Sequence, residues 1–556
     1  MDYLKLADLI YPNVTKTIED LEKEYPKRNL KEGAKVTRLG PSPTGFIHLG
    51  NLYGAFADER LAHQSGGVFF LRIEDTDDKR YVEGAVEIII NSLKFFGINF
   101  DEGATMEGDI GNYGDYTQSH RGDIYKVVAK HLISQGKAYP CFLTEDEITK
   151  IHEEQAKINA NPGIYGKWAK YRDASYEEIE ENLKKGMPFV IRLKSMGDMS
   201  LPEDKIRRFK VEDAIRGTLD MPWNDQDTVI LKQTGIPTYH FAHVCDDHLM
   251  GTTHVVRGAE WLPSLPIHVE LFDALNWELP IYCHTAQLMK IDEETGQKRK
   301  LSKRHDPELS LDFYRNLGYH PACVREYLLT ILNSNFEEWR LANPNSDIDE
   351  FVFTTEKMGN SGALFDLNKL NDVCKDVLVK IPAKELYDFL KAWADEFKKD
   401  DEHINLMLKD RAYLEKIIDI GRSGDKPRKD HVSASQMVEN LSYFFDDSFK
   451  ITEDMPEEVL KAGDVKNILS RYLETYNHSD DQETWFNKIR AITEKLGYAT
   501  RPKDYKKNPE MHKGHVGHVS TVIRVAIMGR QNSPDIWEIQ QLLGEKRVKE
   551  RISALL

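Results

Sequence analysis

A histidine followed two residues later by a glycine, His48-Leu49-Gly50, is the pair in this 556-residue chain best suited to phosphate chemistry. At a helix start an imidazole can donate a hydrogen bond to a phosphate oxygen. Free backbone N–H groups and the helix dipole favour an anion at the same place. A glycine two residues on lets a flat base approach the backbone closely. Before the pair runs Arg38-Leu39-Gly40-Pro41-Ser42-Pro43-Thr44-Gly45-Phe46-Ile47, whose prolines and glycine force a turn. Taken alone, a His-x-Gly pair is equally well a packed or capping histidine.

The elements around the pair must position it. A β-favouring run over 35–39 leads in, and the spacing of Leu49, Leu52, Tyr53, Phe56, Ala57 and Leu61 predicts a helix ended by Gly66-Gly67. A second strand over 68–73 ends in Glu74-Asp75-Thr76-Asp77. Strand, helix and strand form the unit of a nucleotide-binding parallel sheet, although the dinucleotide glycine fingerprint is absent.

The longer string resembles the "HIGH" signature of class I aminoacyl-tRNA synthetases. Pro-Ser-Pro-Thr-Gly before it and Arg72-Ile73-Glu74-Asp75-Thr76-Asp77 after it are similar to the glutamyl-tRNA synthetases. Far downstream, Lys300-Leu301-Ser302-Lys303-Arg304 resembles the KMSKS loop of the same class. The resemblance runs from about Lys35 to Tyr319 and recurs near the C-terminus. It implies a Rossmann-type catalytic domain with an inserted acceptor-binding domain, then an all-helical anticodon-binding region of the bacterial type.

The resemblance also implies site roles. His48, Lys300 and Lys303 are the expected catalytic residues. Thr44, Gly45, His48, Gly50, Asn51, Ser302 and Lys303 are expected at ATP. Arg38, Gly40, Ser42, Glu74, Tyr239 and Arg257 are expected around glutamate: the arginines at its carboxylates, Glu74 at its ammonium, Ser42 and Tyr239 as hydroxyl donors. The family often has Ala where Gly40 stands, and Asn51 replaces the last residue of HIGH. Arg72 and Asp75 are read as structural ion-pair formers, and His243 receives no role. Magnesium is expected to arrive with ATP, carried mainly by the phosphates. Some relatives hold zinc with a CxC and a later cysteine. Here Cys141 stands without CxC and Trp168-Ala169 occupies the later region, so no structural zinc is expected. Asp246-Asp247-His248 is read as a helix end rather than a metal site.

Composition sets limits. Apolar content of 40% and charged content of 30% suit an ordered globular chain. A formal charge of −17 argues against indiscriminate nucleic-acid binding but not against a local basic groove for one RNA. Five scattered cysteines, an early acid in the N-terminal segment and no long apolar run point to a cytoplasmic protein without a membrane span.

The expected division is a helical extension over 1–34, the catalytic first half over 35–115, the insertion over 116–225 and the second half over 226–308. A helical stem-contact domain over 309–385 and a helical anticodon-binding domain over 386–556 follow. In the insertion, Tyr165-Gly166-Lys167-Trp168-Ala169-Lys170-Tyr171-Arg172 interleaves cations and rings, which can track an RNA backbone or simply lie on a solvated surface. The basic stretch 501–513 offers the same two readings. Strand 281–289 should lead to the Lys300 loop, which a polar connector over 292–297 should leave mobile. Ser533 should cap the helix carrying Ile536, Ile539 and Leu543.

The expected partners are L-glutamate and tRNA(Glu), with tRNA(Gln) left open as a second substrate and the enzyme a monomer. The competing readings are a glutaminyl-tRNA synthetase, which would leave two pocket arginines unexplained and typically ends in β-barrels, and a cofactor-making nucleotidyltransferase, which needs no RNA-binding tail. A short base-glutamylating paralogue lacks an anticodon domain, which the long helical tail argues against, and intact His48, Lys300 and Lys303 argue against a non-catalytic tRNA-binding relative.

Overall fold

A computed structural model describes residues 1–77, 81–198, 201–424 and 426–556. The chain forms two compact units, residues 1–311 with 325–366, and residues 312–324 with 367–556.

The first unit is built on a parallel sheet. Strand Val36–Leu39 is buried throughout and pairs in parallel with Val68–Leu71, which pairs in parallel with Glu102–Thr105. On its other side the Thr253 N–H donates to the Val36 carbonyl over 3.0 Å, and the Thr253 hydroxyl accepts from the Val36 N–H over 2.8 Å. Strand His254–Gly258 starts there and pairs in parallel with Ile281–Thr285. Strand order therefore reverses between the ends of Val36–Leu39 and His254–Gly258. Open α/β sheets bind ligands at that crevice.

Helix Leu49–Ser65 begins directly after His48 and ends at Gly66, as the pattern predicts. It is buried on nearly every side, so its charged residues need partners. Glu59 accepts from the Asn99 N–H over 2.8 Å, and Arg60 pairs with Asp349 over 2.7 Å. Among the described residues Asp58 has no hydrogen-bond partner on either carboxylate oxygen.

Three antiparallel strands, Ala138–Cys141, Val190–Leu193 and Val229–Leu231, form a separate sheet. The hairpin Arg208–Asp213/Gly217–Pro222 lies within the stretch expected as an insertion, yet Asp213 pairs with Tyr282 of the catalytic sheet. Of the basic, aromatic string, Tyr171 is buried and Arg172 pairs with Asp227 and Ser195. Lys167 and Lys170 lie over the rings of Trp168 and Tyr171. Half the string is thus committed to its own fold.

Two expectations here are corrected. The run 281–289 is not one strand: Ile281–Thr285 belongs to the catalytic sheet, and Leu288–Ile291 belongs to another with Lys298–Lys300 and Ala363–Leu364. Ala286 and Gln287 separate them. The connector over 292–297 is a built turn rather than a free tether. The Asp292 carboxylate accepts from the Thr295 N–H over 2.9 Å and from Arg299 over 3.0 Å.

The N-terminal helices Tyr3–Ile10 and Ile18–Glu24 bury Leu6, Ala7, Ile10, Ile18 and Leu21 in one cluster with Val128 and Leu132 of helix Gly122–Ser134. Each is capped, by Asp2 and by Thr17. After them Arg28 forks onto Glu102 with two bonds of 2.8 Å and donates to the Met250 carbonyl over 2.7 Å. Its guanidinium lies 3.9 Å from the Tyr113 ring centre.

The second unit is helical. Helices Val465–Thr475, Gln482–Lys495, Val516–Met528 and Glu545–Ser553 pack together, with Val516–Met528 buried on most of its surface. The Tyr472 hydroxyl accepts from Trp485 Nε1 over 3.0 Å and donates to Gln540 over 2.6 Å. The helix predicted near the end starts at Ile536 and is capped by Asp535, not Ser533. The Asp535 carboxylate reaches two N–H groups, whereas the Ser533 hydroxyl donates to the Pro534 carbonyl. Among the described residues no helix is long and apolar enough to cross a membrane.

Removing one partner of a largely buried ion pair leaves the other uncompensated. Arg28→Ala should therefore destabilise the first unit by about 2–4 kcal/mol, read as a lower urea midpoint for that unit's unfolding.

Candidate active site

A cleft of about 580 Å³ opens at the C-terminal ends of Val36–Leu39 and His254–Gly258. It brings together Arg38, Gly40, Ser42, Thr44, His48, Gly50, Asn51, Glu74, Tyr239, Arg257, Lys300 and Lys303. Gly45 and Ser302 are not among its lining residues. Gly45 turns the loop at φ +72°, and the Ser302 N–H bonds Asp306 over 2.8 Å.

His48 both caps the helix and faces the cleft. Its Nδ1 accepts from the Asn51 N–H over 3.3 Å, and Asn51 Oδ1 accepts from the His48 N–H over 3.1 Å. Asn51, where the family motif has histidine, thus completes a reciprocal capping box. With Nδ1 accepting, the ring proton sits on Nε2. Burial, with help from Lys303, lowers the His48 pKa to about 4. The imidazole is therefore neutral at pH 7 and a donor through Nε2 alone. A Cβ on Gly50 would stand 3.0 Å from this ring.

The lysine loop is fixed at its base. Arg299 forks onto Asp306 with bonds of 2.6 and 2.8 Å, and this guanidinium holds the Asp306 carboxyl down at about 2. At the tip, Lys303 Nζ lies 3.6 Å from the Phe46 ring centre, a cation–π contact that holds it beside His48.

The floor is a ladder of buried charges. Arg38 Nε lies 3.2 Å from Asp247 Oδ1, Arg72 Nη1 lies 2.7 Å from the same oxygen, and Arg72 Nη2 donates to Glu74 over 2.9 Å. Burial pushes Asp247 up, but Arg38 and Arg72 outweigh it and hold its carboxyl below the usual range. Burial also raises Glu74, against the pull of Arg72 and Arg38. A Cβ on Gly40 would stand 2.2 Å from Glu74 Oε1. An alanine, common there in the family, would push Glu74 off its present bond to Arg72.

Arg257 forms the opposite side. Its Nε donates to His284 Nε2 over 2.9 Å and its Nη1 to His268 Nδ1 over 3.0 Å, while among the described residues no hydrogen-bond partner reaches buried Nη2. The Tyr239 ring lies beside Trp261, with centres 4.7 Å apart. Burial raises the Tyr239 phenol, with Glu74 adding to the rise and Arg257 opposing it.

Sequence reasoning missed Asp247, His243, His268, His284, Asp58 and Trp261. One signal was readable: Tyr239, His243 and Asp247 stand at i, i+4 and i+8, one face of one helix. His243 Nδ1 lies 3.2 Å from Arg38 Nη2 and 3.1 Å from Asp247 Oδ2, and its Nε2 lies 3.2 Å from the Tyr282 hydroxyl. The ring can accept from Arg38 or donate to Asp247, with Tyr282 taking the complementary part. Arg72, read as structural, is the fully buried link of the ladder. Asp75 accepts from the N–H and hydroxyl of Ser119.

The parallel sheet that reverses order beside the capped His48, with Lys300 and Lys303 lining the same cleft, is the arrangement expected of a class I synthetase. Residues 35–372 match the family described as tRNA synthetases class I (E and Q), catalytic domain, and residues 503–556 match an anticodon binding domain. The chain belongs to this class I tRNA synthetase family. It is 61% identical to a glutamate–tRNA ligase of Acetivibrio thermocellus over 100% of both chains. It is 47% identical to one of Clostridium perfringens strain 13, over 99% of this chain and 100% of the relative. Among solved structures it is similar to a glutamate tRNA ligase of Elizabethkingia meningosepticum in complex with its amino acid. There the TM-score is 0.72 and identity 25%, over 94% of this chain and 98% of that one. The glutamate-tRNA synthetase of Elizabethkingia anophelis gives a TM-score of 0.73 at 26% identity, over 94% and 99%.

Asp58 lines the same cleft, and burial lifts its carboxyl well above the usual range. The folded chain therefore holds this proton more tightly than the unfolded chain, and the group costs stability progressively as pH rises above about 3.9. Asp58→Asn should raise Tm at pH 8 by about 2 °C or more, with the gain shrinking toward pH 4 in thermal unfolding across that range.

Proposed function

We propose that the chain is a glutamate–tRNA ligase. It activates L-glutamate with ATP to glutamyl-adenylate, releasing pyrophosphate, and passes the glutamyl group to the terminal ribose of tRNA(Glu). The observation that carries this reading is the pair of buried arginines, Arg38 and Arg257, on one cleft with Glu74. Glutamate brings two carboxylates and one ammonium, and forked guanidinium suits carboxylate. A neutral glutamine amide would leave a buried guanidinium poorly paired, which disfavours the glutaminyl reading. The helical second unit disfavours it too, as it does a nucleotidyltransferase without an RNA-binding tail.

Glutamate carboxyls are ionised at neutral pH, with pKa near about 4. The first step therefore needs no general base, only alignment and charge neutralisation at the phosphates. Neutral His48 donates through Nε2, and Lys300 and Lys303 supply positive charge from the loop. Thr44, Gly45, Gly50, Asn51 and Ser302 shape the nucleotide's surroundings. The substrate ammonium meets Glu74 and favours its ionised form, offsetting the burial that raises its pKa. Ser42 and Tyr239 offer hydroxyls.

Among the described residues no group of three His, Cys, Asp or Glu is placed to hold a metal. Magnesium is proposed to arrive with ATP, carried mainly by its phosphates. The enzyme is proposed to act as a cytoplasmic monomer and to accept tRNA(Gln) as a further substrate if its anticodon region does not discriminate.

Labelled glutamate and, separately, glutamine should be offered with purified tRNA(Glu) and tRNA(Gln). Glutamate loading on tRNA(Glu) is expected, and loading on both tRNAs would make the enzyme non-discriminating. Glutamine loading, or none, would overturn the reading of Arg38 and Arg257. Lys303→Ala should lower kcat for glutamylation about 100-fold or more, and unchanged turnover would remove Lys303 from the mechanism.

A further inference from the structure

Arg38 and Arg257 are held in opposite ways. Arg38 lies against an anion, Asp247, which it shares with Arg72. Among the described residues Arg257 has no carboxylate in its hydrogen-bond shell and lies against two imidazoles, His284 and His268. Both rings are fully buried, and neither lines the cleft.

A guanidinium only donates, so each imidazole must accept at the atom that faces it. That requirement fixes both tautomers. His284 accepts at Nε2 and carries its proton on Nδ1, which lies 2.6 Å from Asp213 Oδ2. Asp213 is itself tied down by the N–H groups of Ile215, Arg216 and His284. His268 accepts at Nδ1 and carries its proton on Nε2, 3.0 Å from His240 Nδ1. Burial depresses the pKa of both rings, and Arg257 adds to the effect, so both stay neutral acceptors. The Tyr282 ring, 4.7 Å from the guanidinium carbon, flanks the group. One nitrogen, Nη2, is buried with no hydrogen-bond partner among the described residues.

We infer that His268 and His284, with Asp213 behind His284, are positioning residues that orient Arg257 toward the substrate carboxylate and enforce the choice of carboxylate over amide. The inference rests on the proposed role of Arg257 in binding glutamate. The reason for imidazole is electrostatic. A carboxylate in the same place would orient the guanidinium but neutralise it. A neutral imidazole orients it and leaves its charge for the ligand. A guanidinium held on two edges presents only donors to the substrate. It pairs with a carboxylate oxygen but clashes with the –NH2 of an amide.

The test is ATP–pyrophosphate exchange in the presence of tRNA(Glu), with glutamate and ATP varied separately. His268→Leu and His284→Leu should raise KM for glutamate about 10- to 100-fold, with KM for ATP and kcat within about twofold and the glutamate-over-glutamine ratio reduced. His268→Asn places an oxygen where Nδ1 stood and should keep most of the glutamate affinity. His268→Gln, whose amide reaches the Nε2 position instead, should lose it. This polar pair decides the matter even where a leucine variant does not fold. Unchanged glutamate KM in folded variants, a parallel rise in both KM values, or equal behaviour of Asn and Gln at 268 would overturn the inference alone. A wild-type protein with no glutamate-dependent exchange would overturn both the inference and the proposed function.

Discussion

One buried carboxylate, Asp247, fixes the geometry of the first unit's functional end. It is almost wholly excluded from water and lies between Arg38 and Arg72. Burying any of these charges singly would cost several kcal/mol or more, so the three must be placed together. Their placement joins strand Val36–Leu39, the end of strand Val68–Leu71 and helix Tyr239–Leu249. Arg72 then extends the constraint to Glu74, and Glu74 occupies the space where residue 40 would carry a side chain. Gly40 is thus a consequence of the charge ladder, not an independent feature of the loop.

The preceding residue, Asp246, does a parallel job. Its carboxylate accepts from Arg121 over 2.7 Å, from Tyr125 over 2.8 Å and from Gln118 over 2.9 Å. Arg121 lies over the Tyr25 ring of the N-terminal extension. One turn of one helix therefore ties the pocket floor on one side and the extension on the other. Two adjacent acids are tolerated in a buried helix because each meets its own cation. This is why Asp246-Asp247-His248 looks like a metal site in sequence and serves as an ion-pair junction in the fold.

Much of this was legible in the sequence, for physical reasons. Prolines, glycines and apolar spacing are local signals, so the strand, turn and helix around His48 followed directly. Arg38 and Arg257, the arginines proposed to bind carboxylate, sit at strand ends, where the family motif picks them out. What was not legible depends on long-range pairing. The run 281–289 is continuously β-favouring, yet its two halves serve different sheets, which only tertiary contacts decide. Ser533 and Asp535 are both good caps, and the choice turned on which side chain could reach two N–H groups. The roles of His268 and His284 depend on tautomers set by a residue distant in sequence. Isolated histidines in an apolar setting carry no such signal.

The cleft divides two tasks, direction and charge, between His48 and Lys303. His48 is locked by its capping bond and stripped of charge by burial, so it contributes direction but not net charge. Lys303 contributes charge but rests on an aromatic ring, a contact worth about 0.5–2 kcal/mol. That is small against the attraction of a polyphosphate for an ammonium in a partly dry cleft. The ring contact would therefore offer little resistance to an anion seated in the cleft, while His48 cannot move without uncapping the helix. Removing the lysine from Phe46 also brings it toward an anion that offsets its depressing effect on His48. The arrangement sets a fixed, neutral donor beside a cation that already lines the same cleft.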